Sequence, residues 1–201
     1  MSSGRPQQFD PVEVAHSALT CFQVNGYDAT STRRLGAACG VSSSTLYGAL
    51  GGKRQLFISV IDLYTEQLLA SMAIVYQGLP PARRDAQRFF TALFCDVAAA
   101  AETASGRYGC LLFNSLAEFG HSQTVEARHV RQALERIRRF FIDLLQQTGT
   151  ATQQAEAAVF ADAALMAMAG LRTMLRAGLA KKRAELVALQ MVRSLFYPQE
   201  A

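Results

Sequence analysis

The chain has 201 residues, half of them hydrophobic, with 20 Lys and Arg against 16 Asp and Glu and a net charge of +4. That length holds a small unit plus one larger domain with its own core and is short for two independent enzymes. Abundant Ala, Leu, Arg and Gln with only 5 Pro favour an all-α protein, and the mild positive charge permits nucleic-acid binding without requiring it.

Residues 1–8, MSSGRPQQ, are polar and precede any helical pattern. Arg5, followed by Pro6, either reaches into a DNA minor groove as basic arms do or is a tail charge. Asp10 is placed to cap a helix that begins at Pro11, with Glu13 in the capping-box position. Val14, Ala15, Ala18, Leu19 and Phe22 give that helix one apolar face, and Asn25-Gly26 ends it.

From Ser31 to Lys53 the chain reads STRRLGAACGVSSSTLYGALGGK, two short helices joined by a tight turn and followed by the start of a third. Leu35, Ala38, Val41, Leu46 and Leu50 recur at helical spacing and can close a small core. Ser31 caps the first of these helices and sets Thr32 and Arg33 in its first turn. Outward backbone N–H groups, a hydroxyl and a guanidinium there make a clamp for a phosphate. Gly40 supplies the left-handed residue at a helix end, and Ser42 caps the next helix, about Ser42 to Ala49. On it Ser43, Ser44 and Thr45 can hydrogen-bond base edges or phosphates, and Thr45 can touch a thymine methyl.

The segment Phe9–Lys53, with GYDATSTRRLGAACGVSSSTLYGALGGK at its centre, resembles the DNA-binding domain of the TetR family of transcriptional regulators. The resemblance rests on Phe22, Gly26 and Tyr27 before the turn, the Thr-Ser helix start, Gly-Val-Ser in the turn, Thr-Leu-Tyr in the reading helix, and Lys53. It implies that Tyr47 and Lys53 contact phosphates and that Arg33 reaches a base edge. Leu50 stands where the family usually has an aromatic, and Gly48, Gly51 and Gly52 loosen the helix end, so docking would depend on DNA to order it. The expected architecture is all-α: a helix-turn-helix DNA-binding domain with its arm over residues 1–53, and a larger helical effector-binding and dimerisation domain over residues 54–201.

A longer helix runs from Gln55 to about Tyr76, with Leu56, Phe57, Val60, Ile61, Tyr64 and Leu68 inward; in the family it links head to body. Pro80-Pro81 breaks the chain, and a helix from about Ala82 to Thr103 carries Phe89, Phe90, Leu93, Phe94 and Val97. Ser105-Gly106 and Gly109 bracket a loop. YGCLLFNSLAEFG follows as a short helix between Gly109 and Gly120, and its Gly-Cys-Leu-Leu run resembles one branch of the family. Ser122 or Thr124 opens a helix to about Thr148, whose charged residues, Glu126 among them, read as a solvated face. An Ala-rich helix from Gln153 to about Ala177 is apolar nearly all round, and a last helix spans about Arg183 to Phe196 before Pro198. Burial on two sides in so small a body implies a homodimer through these last two helices.

Together these features imply a ligand-responsive transcriptional regulator, a repressor that binds a palindromic double-stranded DNA operator as a dimer and is released by a small hydrophobic or planar effector. Tyr64, Phe90, Phe94, Phe113, Met166 and Met174 either line an effector cavity or fill a core, with Asn114, His121 or Arg172 as polar contacts. Cys110 follows Gly109 at a helix start near Arg107; it is either a sensor of oxidants and electrophiles or a small buried hydrophobe.

An enzyme is disfavoured. His16, His121 and His129 have no accompanying nucleophile motif or Gly-rich phosphate loop, and Ser43 and Ser44 lack a Gly-x-Ser-x-Gly setting. No cofactor or metal is implied, since Cys95, Cys110 and His121 have no ligand spacing. Cys21, Cys39, Cys95 and Cys110 lie far apart and read as reduced thiols of a cytoplasmic protein. No membrane segment is expected: the most apolar stretch, Ala157 to Leu171, contains Asp162 and falls short of the roughly 20 residues a bilayer needs.

Overall fold

The computed structural model describes residues 10–196, and all their regular elements are helical. Arg5 and Pro198 lie outside the described residues. The head comprises α1 (Pro11–Asn25), α2 (Thr32–Cys39) and α3 (Ser43–Gly48), and α4 (Gly52–Gly78) leads away from it. The body adds α5 (Ala86–Ala99), α6 (Ala104–Tyr108), α7 (Leu111–Phe119), α8 (Val125–Thr148), α9 (Ala151–Ala155), α10 (Ala157–Arg176) and α11 (Lys181–Phe196).

Helix starts follow the oxygen-bearing caps. The side chains of Asp10, Ser31, Ser42, Asp85, Thr124 and Thr150 each accept a backbone N–H from the first turn they precede. The capping box expected from Glu13 does not form: Asp10 accepts from the Val12 N–H at 2.8 Å without a reciprocal bond. The reciprocal box forms instead at Thr150 and Gln153.

Three other boundaries differ from the sequence reading. The helix expected over residues 82–103 is shorter, because Asp85 caps it late and a 3-10 turn at Ala100–Glu102 closes it. The loop expected around Ser105-Gly106 is the short helix α6, where a Cβ on Gly106 would lie 2.0 Å from the Ala100 carbonyl oxygen. The Ala-rich helix is broken at Glu156 into α9 and α10.

A continuous cluster of buried side chains runs from Val14, Phe22, Leu35 and Leu46 in the head through Phe57 and Ile61 of α4 to Phe141 and Leu171 in the body. α4 takes part in both ends, packing on α1, α2 and α3 and on α5, α7 and α8. One expectation is corrected by the helix lengths. Among the described residues, α4 and α10 are long and apolar enough to cross a membrane by length and composition, each with a mean hydropathy of 1.4. α10 runs 20 residues, beyond the stretch counted in the sequence, and its Asp162 is ion-paired to Arg138 at 2.6 Å. Both helices direct apolar faces into the bundle.

Candidate DNA-reading surface and effector cavity

At the outer end of the head, Ser31 Oγ accepts the Arg34 N–H at 3.1 Å, which leaves Thr32 half-buried and Arg33 exposed at the start of α2. Gly40 adopts the left-handed conformation (φ +66°) that turns the chain from α2 towards α3. Ser42 Oγ then accepts the Thr45 N–H at 3.1 Å and lies 2.8 Å from Ser44 Oγ and 2.9 Å from Thr45 Oγ1. The Ser44 and Thr45 hydroxyls are therefore engaged with the cap, while Ser43 points to solvent. Each hydroxyl keeps acceptor capacity, and the cluster orders a helix of only six residues.

Tyr47 is 61% exposed beside the first turn of α4, where a Cβ on Gly52 would come within 3.1 Å of its ring. Gly52 (φ +81°) thus provides both the backbone conformation and the room for this tyrosine. Lys53 is not free: its ammonium stands 4.2 Å from the centroid of the Tyr27 ring and donates to the Asp28 carbonyl at 3.4 Å. The structure thus brings Thr32, Arg33, Ser43, Ser44, Thr45, Tyr47 and Lys53 onto the head.

Behind this surface, the loop between α1 and α2 is held by two body carboxylates. Glu118, at the end of α7, accepts the Tyr27 N–H at 2.8 Å and the Asp28 N–H at 2.7 Å. Glu126, in the first turn of α8, accepts the Tyr27 hydroxyl at 2.8 Å and Arg54 Nε at 2.7 Å. Burial raises the Glu126 carboxyl's pKa, but its own N–H, Arg54 and Tyr27 outweigh burial and bring it from 4.5 down to about 2. Burial, reinforced by Glu126, pushes the Tyr27 hydroxyl up to about 12.

The sequence reading assigned the charged face of α8 to solvent. Glu126 corrects it, being only 4% exposed. Arg136 and His129 of the same face reach Glu66 and Asp62 of α4 at 2.5 and 2.8 Å. No local pattern signals these pairs, since Arg54 and Glu126 are 72 positions apart.

Further along α4, a cavity of about 360 Å³ opens among α4, α5, α7, α8 and α10. Of the predicted contacts it gathers Tyr64, Cys110, Phe113 and Arg172. The remaining six do not line it. Phe90 packs with Phe141 and Phe196 at 5.0 and 5.5 Å between ring centroids, and Phe94 is fully buried in the core. Asn114 donates to the Tyr108 carbonyl at 2.9 Å. His121 is exposed in the turn before α8, and Met166 and Met174 face outward at 73% and 51% exposure. Helical periodicity alone could not tell an inward from an outward methionine on a helix apolar all round.

Cys110 precedes α7 as its cap residue and is buried. Tyr64 lines the cavity next to Cys110 and Leu111. Burial and Cys110 push the Tyr64 pKa upward against the opposing pull of Arg172, so its hydroxyl stays protonated. Sequence reasoning missed Leu68, Met72 and Ile137 as cavity walls.

Residues 15–60 match the family model described as bacterial regulatory proteins, tetR family. The structure superposes on the TetR-family transcriptional regulator CifR, solved with 26-bp double-strand operator DNA, with a TM-score of 0.76. That likeness is at 24% identity and covers 96% of this chain and 100% of the other. The match to the tetR family thus lies in residues 15–60, and the whole fold is similar to that of a TetR-family regulator.

Among curated relatives, the uncharacterised HTH-type transcriptional regulator YezE of Bacillus subtilis is 38% identical over 63 residues, 31% of this chain. The transcriptional repressor ComR of Escherichia coli is 38% identical over 69 residues, 34% of this chain. The matched segments span about a third of these relatives, 32% and 33% of their lengths. The family-model match, residues 15–60, spans most of the head and the start of α4.

Proposed function

We propose that this chain is a TetR-family DNA-binding transcriptional repressor, acting in the cytoplasm as a homodimer on a palindromic operator and released by a small hydrophobic or planar effector. The observation that carries this reading is the continuity of α4. Its first turn bears Lys53 and meets the Tyr47 ring at Gly52, and the same unbroken helix walls the cavity with Tyr64, Leu68 and Met72. Residues to Lys53 serve as the reading domain and residues from Arg54 onward as the effector and dimer domain.

α7 makes a second connection. Cys110, Leu112 and Phe113 at its start face the cavity, and Glu118 near its end holds the Tyr27–Asp28 loop. A ligand that fits better when α4 and α7 are tilted apart shifts the population away from DNA-competent heads. Pairing is supported by the apolar side chains that α10 and α11 leave exposed: Val159 at 66%, Met166 at 73%, Leu186 at 62% and Leu189 at 39%. Two such heads must stand roughly 34–36 Å apart to enter successive major grooves.

The test is selection of bound fragments from a genomic library followed by titration against salt. A palindrome should be recovered and bound by a dimer. Tyr47→Ala should weaken binding to all sequences, and Lys53→Ala should in addition reduce the slope of log K against log salt by about 1. A monomer indifferent to any duplex at low ionic strength overturns the reading.

The place of Cys110 on the cavity wall, against Tyr64, favours a second reading in which the repressor senses electrophiles through this thiol. Release by electrophiles that persists in Cys110→Ser removes it.

A further inference from the structure

The cavity is uneven in its chemistry. Most of its wall is aliphatic, from Leu68 and Met72 of α4 to Ile137 of α8, while Arg172 of α10 stands near Tyr64. Among the described residues no carboxylate pairs with Arg172 and no acceptor receives a hydrogen bond from it, although six ion pairs form elsewhere. The other charged wall residue, Asp96, is solvent-exposed. A half-buried guanidinium without a counter-charge is costly, and its planar donors match a carboxylate in two-point fashion. Beside it, Tyr64 is buried and protonated, so its hydroxyl is a second donor for a bound anion.

We infer that the cavity takes an organic acid: a compact apolar body carrying one carboxylate, with the carboxylate on Arg172 and Tyr64 and the body against Leu68, Met72 and Ile137. This rests on the proposed role of the cavity as the effector site and narrows the effector's class. At about 30 Å³ per water-sized group, 360 Å³ admits about a dozen non-hydrogen atoms. A fused bicyclic or short-chain acid fits that space.

The probes are 2-naphthoate, 2-naphthamide and 2-naphthylmethanol, titrated calorimetrically into the full-length protein. The unmodified protein should bind the acid at least tenfold more tightly than either neutral analogue. Arg172→Met, of similar bulk, should bring the three within about twofold of one another, and Arg172→Lys should retain part of the preference. Tyr64→Phe should reduce it about threefold. Thermal midpoints measured without ligand show whether the variants are folded, and the comparison of acid with amide on the unmodified protein needs no variant. Equal binding of acid and amide overturns the inference while leaving the cavity as an effector site for neutral molecules. Absence of binding by all three probes also overturns it. Selective binding of naphthoate that leaves operator binding unchanged supports the organic-acid site and overturns the effector role assigned to it above.

Discussion

Head and body meet through an apolar half and a polar half, and the two are held by different physics. In the apolar half, the fully buried Phe57 of α4 sits among Phe22 and Tyr27 of the head and Phe119 of the body, with ring centroids 5.1, 4.7 and 5.8 Å away. In the polar half, Glu118 and Glu126 grip the same Tyr27 loop through hydrogen bonds of 2.7–2.8 Å. Apolar burial depends on area and barely on direction, so rings can slide by a fraction of an ångström at little cost. Charge-assisted hydrogen bonds depend on both distance and angle. The rings keep the head attached, and the carboxylates set its angle.

The largest break in that division should come from Phe57→Ala. Removing a ring shared by head and body should cost about 3–5 kcal/mol. For a chain of this size that is a fall of about 10 °C in the thermal midpoint, at about 2–4 °C per kcal/mol. Scanning calorimetry at fixed protein concentration measures it. A loss below about 1 kcal/mol would mean that the ring cluster is not what secures the head.

The two halves also differ in how far the sequence reveals them. Ser31, Gly40 and Ser42 act on neighbours within a few positions, so the helix-turn-helix and its caps can be read along the chain. The body helices are legible for the same reason, from their apolar stripes. The polar half is not, because Glu118 and Tyr27 are brought together across 91 positions, and a glutamate in a charged helical run looks identical whether it faces water or a buried tyrosine. The cavity falls between. Tyr64, Phe113 and Arg172 lie on it, but which helical face points inward is fixed by packing, which put Met166 and Met174 outside and Phe90 and Phe94 in solid core. Tertiary contacts at long separation decide these cases, and one strand of sequence carries no record of them.

A smaller effect is expected from Glu126→Gln, which keeps the shape and removes the charge. Losing a charged acceptor shared by Tyr27 and Arg54 should cost about 2 kcal/mol at neutral pH, a fall of about 4–8 °C in the midpoint. The sign with pH follows from a folded pKa below the unfolded one. Glu126 contributes its full stability above about pH 4.5 and loses it as pH falls towards about 2. The unmodified protein should therefore lose its advantage over Glu126→Gln between those limits, and the two should converge at the acid end. A gap that stays constant with pH would show that the charge is not the stabilising feature.

The smallest effect separates stability from orientation. Glu118 is exposed, so Glu118→Ala should change global stability by only about 0.5–1 kcal/mol. Its two acceptors nevertheless restrain two successive N–H groups directly before the reading helices, and Gly26 (φ +79°) leaves just enough room, since a Cβ there would lie 2.9 Å from Glu118 Oε2. The substitution should speed hydrogen exchange at the Tyr27 and Asp28 amides by about fivefold, the equivalent of about 1 kcal/mol, while amides in α8 and α10 stay as protected as before. Operator affinity should fall more than stability does, because the loop loses its set angle while Phe57 still holds the head in place. If Glu118→Ala instead lowered the thermal midpoint as far as Glu126→Gln, the exposed carboxylate would be a structural tie and the division between holding and aiming would fail.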